Sequence, residues 1–406
     1  MDKKIIAILA VVIIVAAGAV AGFTLLKKDD GKEAGLSIVG RVNSEGSGII
    51  LKNDQDPHDY ITETLITPVE QDAKYIRNGD EYFVFNVANW GGKVFATPGA
   101  ATIQHVQLAE LAALMGLKFV SYVDGTALSN DTLYYQAGVP SYAEFSGKAA
   151  CVGFIIWEAQ VSVGVQEGCP VLALTNDLFA GHTCCIIGAS NDYVKKNADT
   201  LETFLFVYSK AVDKINEAKA DPTSDLYNNV LAIAKNRVSM PDGLNDSQKE
   251  AAIKAALDNV TYLYADGSTG NLGKLVDDVA ALAKSLVDSN VISKNAKDLG
   301  FADYSALANK FVNDVPMKNA MSKEIKKLDK KTTIEVAAIA GDIHQLAIWY
   351  AKDTGMFEEY NLDVNVSAQS NGPAIYTVLA NGEVNIGFLG APPMTIRCMN
   401  AEDIHA

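Results

Sequence analysis

The sequence predicts an α/β fold, and three observations carry that reading. Short apolar strand candidates alternate with helical segments from Leu36 to Ala189, and again from Thr333 to the C-terminus. Such alternation predicts a parallel sheet covered by helices. Between these stretches, residues 191–328 read as helices. The composition supports a large core: of 406 residues, 49% are hydrophobic and 20% charged, which excludes a disordered chain. The length suggests two or three domains.

Element by element, LSIVG (Leu36–Gly40) and GIILK (Gly48–Lys52) read as buried strands around a loop at Asn43–Ser47. YFVFNVA (Tyr82–Ala88) is a further strand. KVFATPGAATIQHVQLAELAALMGL reads as strand, turn and amphipathic helix, with apolar residues from Val106 through Leu108, Leu111, Ala112 and Met115. FVSYV, CVGFII, PVLALT and TCCIIGA are the next strands. Three amphipathic helices stand out after Asn191: ADTLETFLFVYSKAVDKINEAK, QKEAAIKAALDNV and GKLVDDVAALAKSLVDSNV. The charged stretch Ser322–Thr332 reads as a solvated linker or a fraying helix end. Beyond it come strand TIEVAAIA, a helix ending at Gly355, strand LDVNVSA, helix AIYTVLANGE, strand VNIGFLG and a helix opened by Pro392 and Pro393.

Asp and Glu total 49 against 34 Lys and Arg, a net charge of -15. A surface that acidic repels phosphate backbones and anionic lipid, so nucleic acid is not an expected partner. Five cysteines without a CxxC pair make neither a disulfide scaffold nor a zinc ribbon, and whether Cys151 and Cys169 pair is open. The histidines are scattered, with no HExxH spacing, so no metal or cofactor is expected.

Residues Ile5–Leu26 form an uncharged apolar run, long enough to span a hydrocarbon core that needs ~20 helical residues. Lys3 and Lys4 place its N-terminal side in the cytoplasm and the body outside. The expected role of residues 1–30 is a membrane anchor; a cleaved signal peptide is the alternative, given Ala16, Ala17, Ala19 and Ala21.

Four segments in order carry a family resemblance: TIEVAAIA with its Gly341-Asp342-Ile343-His344 loop, AKDTGMFEEYNLDVNV, the Ser370-Asn371-Gly372 turn, and LANGEVNIGFLGAPP. The chain resembles the solute-binding proteins of ABC importers, in the nitrate/sulfonate/taurine branch that includes thiamine-precursor binders. In that family a segment like SIVGRVNSEGSGIILK follows these four; here it precedes them, at Ser37–Lys52. GGKVFATPGAATIQH, CVGFIIWEAQ and HTCCIIGAS continue the pattern, which therefore covers nearly all of residues 36–406 as a circular permutation. Truncation of a duplicated chain is the alternative.

The resemblance implies a type II periplasmic-binding-protein fold of two α/β lobes joined by two crossings, with ligand in the cleft between them. The expected lobe one comprises residues 36–88, the helical part 190–321 and, after the linker 322–332, residues 333–406. Lobe two is expected at 89–182. Strand LSIVG is expected in one sheet with VNIGFLG and TIEVAAIA. The resemblance also implies a small-molecule solute, ABC permease and ATPase subunits in the membrane as partners, and a monomer that catalyses nothing.

Ligands of open α/β sheets gather at the carboxyl ends of strands and at helix N-termini. Five loops occupy those positions. They hold Asp342, His344 and Gln345; Ser370 and Asn371; Gly390, Ala391 and Pro392; Asn43, Ser44 and Glu45; and, in the second lobe, Thr97, Gly99, Ala100 and Thr102 at a helix start, with Trp157 and Glu158 nearby. Helix capping by Asp342, an N1 role for the prolines and core packing for Trp157 are the structural alternatives. The small residues before the helix suit an oxyanion. No arginine or lysine falls in the five loops, and Glu45, Asp342 and Glu158 suit a cation or amine, so the ligand's charge is open: anionic, zwitterionic or neutral. The competing function is a synthase of the thiamine-pyrimidine type on the same scaffold. Cys184-Cys185 resembles its cysteine cluster only in part, since the longer cysteine run is missing and burial in the strand TCCIIGA explains the pair; the export segment opposes the synthase.

Overall fold

The computed structural model describes residues 35–68, 70 and 72–401. The Ile5–Leu26 run, as anchor or as signal, lies outside the described residues. Among those described, no helix is long and apolar enough to cross a membrane.

The strands are β1 (Leu36–Glu45), β2 (Ser47–Leu51), β3 (Ile61–Thr64), β4 (Lys74–Asn78), β5 (Glu81–Phe85), β6 (Val94–Ala96), β7 (Lys118–Ser121) and β8 (Thr132–Gln136). They continue as β9 (Gly153–Trp157), β10 (Val171–Leu174), β11 (Thr183–Ser190), β12 (Val260–Tyr262), β13 (Thr332–Ile339), β14 (Leu362–Gln369) and β15 (Ile386–Gly390). Three sheets form, in the orders β12-β1-β11-β15-β13-β14, β10-β2-β9-β6-β8-β7 and β3-β5-β4. The helices that matter below are α1 (Ile103–Met115), α2 (Gln160–Gln166), α3 (Ala198–Ala220), α4 (Asp246–Asn259), α5 (Gly273–Asp288), α6 (Leu346–Asp353), α7 (Gly372–Ala380) and α8 (Ala391–Asn400).

The expected parallel sheet is a mixed one in both large sheets. β13 pairs in parallel with β14 and β15, but β11 runs antiparallel to both β1 and β15. In the second sheet β6, β7, β8 and β9 form the parallel part, while β2 is antiparallel to β9 and β10. The reversed strands are β2 and β11, which enter their sheets directly from the crossings, and β12, which pairs antiparallel with β1 at the sheet edge. β1 shares its sheet with β15 and β13, as expected, with β11 between β1 and β15.

The sheets divide at Gly46, not near residue 88. β1 ends at Glu45, one residue passes, and β2 begins in the second sheet. The chain returns between β10 and β11. Residues 47–88 therefore lie with the second sheet and the small third one. Gly46 has φ +76°, and a Cβ there would stand 2.5 Å from His344 Nε2 and 2.7 Å from Val260 Cγ2. Only glycine fits that crossing.

Other differences are local. YFVFNVA is strand only to Phe85; Val87–Trp90 is a helical turn that buries Trp90, whose indole donates to Tyr60 O. β3, β4, β8 and β12 escaped the sequence reading. β4 and β5 are a hairpin closed by Gly79-Asp80, with Gly79 at φ +60°. The linker is not wholly solvated: Leu328 N donates to Tyr360 O, and Lys323 pairs with Glu202 at 2.8 Å.

Period-two burial organises the second sheet. Ile49, Leu51, Phe95 and Ile155 pack into one core, while Ile50, Val94, Ala96, Phe154 and Ile156 pack into another on the opposite face. The first sheet's core takes in α3 through Leu201, Phe204, Leu205, Tyr208, Val212 and Ile215, at helical spacing. Val106 of α1 and Ala159, both from the second-sheet half, also join that core. The two halves are thus in apolar contact across their seam.

Candidate functional site

Seven expected site residues, Asn43, Ser44, Glu45, Glu158, Asp342, His344 and Gln345, lie at or beside the crossing at Gly46, where they bond to the protein itself. His344 is 1% exposed. Its Nε2 donates to Gly46 O at 2.8 Å and its Nδ1 to Asp342 Oδ1 at 2.7 Å. A carbonyl and a carboxylate both accept, so both ring nitrogens carry protons. Burial alone would lower this pKa; the Asp342 carboxylate, Cys184 and the Gly46 bond outweigh it and raise the pKa to about 10. Asp342 also caps the following turn by accepting from His344 N.

The remaining bonds there are likewise internal. Gln345 accepts from Ile339 N and donates to Phe388 O. Asn43 donates to Glu45 O at 3.1 Å, and Ser44 is buried opposite Thr183. Glu45 has φ +64°, a conformation uncommon for a non-glycine residue, and its carboxylate accepts from Gly181 N and Thr261 Oγ1. Glu158 N donates to Gly46 O at 2.8 Å, while its fully buried carboxyl takes bonds from Ser162 N and Asn259 Nδ2. Burial pushes the Glu158 pKa up against those bonds. His344 through Gly46, Glu158 through Asn259 and Glu45 through Gly181 thus tie the halves at their crossings, while Asp342 and Gln345 bond within the first half.

The other expected residues divide differently. Thr97 is buried with its hydroxyl 3.2 Å from His105 Nδ1. Thr102 caps α1 by accepting from His105 N, and donates to Gly99 O. Ala100 is exposed. The helix-start oxyanion site therefore has its threonines already engaged. Ser370 and Asn371 are exposed, and Asn371 caps α7 through Ala374 N. Trp157 packs partly buried against the second sheet's core. Gly390 precedes α8, Pro392 lies in its first turn, and Ala391 lines a cavity.

That cavity, about 120 Å³, lies between α1 of the second-sheet half and α5 and α8 of the first. Ile103, Val106, Leu282 and Ala391 form apolar wall. The polar lining is Gln107 and Glu110 from α1, His182 and Thr183 at the return crossing, and Asp278 from α5. Gln107 is 2% exposed, and neither its amide oxygen nor its amide nitrogen has a protein partner. His182 Nδ1 donates to Phe179 O at 2.8 Å, which leaves Nε2 as an acceptor, and that buried atom has no partner. Burial holds the His182 pKa below its ordinary value. Glu110 at the rim accepts from the Ser285 hydroxyl. Asp278 accepts from Thr183 Oγ1 at 2.6 Å and from Lys274.

Arg41, which the sequence reading passed over, stands behind this wall. It is 3% exposed, with Nη1 2.7 Å from Asp266 and Nη2 3.6 Å from Asp278. The signal that could have found the cavity is on α1, where Gln104, His105 and Gln107 interrupt a buried face with polar atoms. Gln104 donates to Ser47 Oγ at 2.8 Å and His105 meets Thr97, so Gln107 alone of the three is left over. The cysteines are free thiols; Cys184 and Cys185 are buried in the first core and do not line the cavity.

No protein-family model matches the chain, and no curated protein matches it. Among solved structures it is similar to the periplasmic nitrate-binding protein NrtA from Synechocystis PCC 6803, at 14% identity and a TM-score of 0.40. That similarity covers 72% of this chain and 68% of the other, and at such a score it bears on neither fold nor function.

Proposed function

We propose that this chain is an extracytoplasmic, membrane-anchored solute-binding receptor of an ABC importer, one that closes two lobes on a small solute and catalyses nothing. The observation that carries the reading is the cavity shared by both halves, with a buried amide, Gln107, lacking any protein partner. A buried polar group left unpaired costs about 1–3 kcal/mol, which a ligand's hydrogen bonds recover. A ligand that touches α1 on one side and α5 on the other favours the closed state, because only that state offers both contacts. The four resembling segments and the two crossings support the same reading. The place of β1 and β15 in one sheet supports the permuted order.

The test is calorimetric titration of the full chain with nitrate, bicarbonate, sulfonates, taurine, thiamine precursors and small amines, followed by X-ray scattering. The expected result is saturable binding by one class with a smaller radius of gyration. Turnover of a bound compound would defeat the reading in favour of a synthase.

A further inference from the structure

The chemistry of the cavity names a ligand class within that receptor reading, on which the inference rests. An oxoanion needs donors or positive charge. No lysine or arginine lines the cavity, and two carboxylates, Glu110 and Asp278, do. Asp278 is matched by Lys274 at 2.8 Å and lies within reach of Arg41. Glu110 accepts only a neutral hydroxyl, from Ser285, and has no cationic partner among the described residues. The unpaired His182 Nε2 accepts, and the unpaired Gln107 amide offers an acceptor oxygen beside its donor. The unpaired lining atoms are thus two acceptors, His182 Nε2 and Gln107 Oε1, and one donor, Gln107 Nε2, and the Glu110 carboxylate tips the balance toward a donor-bearing, cationic ligand. We infer that this cavity takes a small primary ammonium compound, its nitrogen held by Glu110, His182 Nε2 and the Gln107 amide oxygen, with its alkyl part against Val106, Leu282 and Ala391.

An anion placed here meets like charge in a partly desolvated site, where such repulsion is screened least. An ammonium ion supplies three donors to three acceptors. The cavity volume of about 120 Å³ limits the body to a few carbons.

Three propyl probes that differ in the head group separate the alternatives by calorimetry on the full chain: propylammonium, propanol and propanesulfonate. The expected order is propylammonium first, propanol weaker and propanesulfonate silent. Glu110→Gln, which keeps the side chain's shape and an acceptor for Ser285, is expected to weaken propylammonium binding about tenfold or more. Gln107→Leu should weaken it as well, with circular dichroism confirming the fold of both variants. Propanesulfonate or nitrate binding as well as or better than propylammonium overturns the ammonium assignment while leaving the receptor standing. Propylammonium binding that is indifferent to both substitutions places the site elsewhere and also overturns it. Binding by none of the probes, nor by any compound of the wider solute panel, overturns the receptor reading itself.

Discussion

Two polar regions lie along the seam between the large sheets, and their hydrogen-bond accounts differ. Around Gly46, the His344 ring and the Asp342 and Glu158 carboxyls are buried and bonded, and Asn43 Oδ1 is the one buried side-chain atom left over there among the described residues: His344 reaches Gly46 and Asp342, and Glu158 reaches Asn259 and Ser162. Between α1 and α5, Gln107 and His182 Nε2 are buried and have no partner. The first region buries its polar groups at strand ends, the second within a helix and a return loop, and both lie where the two halves meet. A bonded polar cluster holds structure together, whereas unpaired polar atoms that line a cavity leave bonds for a ligand to make.

The sharpest break of this contrast is at His344. His344→Leu leaves the Asp342 carboxylate buried without its cation, so a loss of about 3–5 kcal/mol of stability is expected in chemical denaturation. A loss below about 1 kcal/mol, the size of one ordinary hydrogen bond, would show that the seam is not held there.

Gly46→Ala comes next. The positive φ and the 2.5 Å approach to His344 Nε2 leave no room for a methyl group, and about 1–3 kcal/mol of destabilisation is expected. Full stability in the alanine variant would mean that the crossing has another conformation.

The pH profile sharpens the comparison by charge. The His344 pKa is raised in the fold to about 10 from an ordinary 6.5. Its contribution is therefore complete below pH 6.5 and is lost as pH rises through about 10. Denaturation midpoints should decline across that window in the wild type, and the decline should shrink in His344→Gln. An equal decline in both proteins would assign it to other groups.

The smallest effect compares two glutamines on one helix. Gln104→Leu loses a buried bond to Ser47 and should cost about 1 kcal/mol or more, while Gln107→Leu removes unpaired atoms and should be neutral or mildly stabilising without ligand. If both cost the same, the distinction between a used and an unused amide fails.

Much of the secondary structure was legible because burial leaves a local periodic trace. TCCIIGA, LDVNVSA and the helix over ADTLETFLFVYSKAVDKINEAK were found where β11, β14 and α3 lie. The hairpin of β4 and β5 carried a readable Asn78-Gly79-Asp80 turn, but its exposed alternate positions diluted the apolar signal. β12 is three residues long, too short for any period to show. Among the site residues, strand-end position brought Asp342, His344, Asn43, Glu45 and Glu158 to notice. It did not tell a ligand contact from an internal lock, and it passed over Gln107 and His182, which lie in a helix and in a return loop.

By itself, then, the sequence determined the alternation of strands and helices, the glycine at the crossing and the acidic surface, all of which depend on residues near in the chain or on composition alone. The tertiary structure decided sheet direction, the division at Gly46 and the fate of each buried polar group. The reason is reach: His344 meets Gly46 across 298 positions and Glu158 meets Asn259 across 101. Whether a polar atom is spent or spare is set by such distant partners, and no local pattern encodes them.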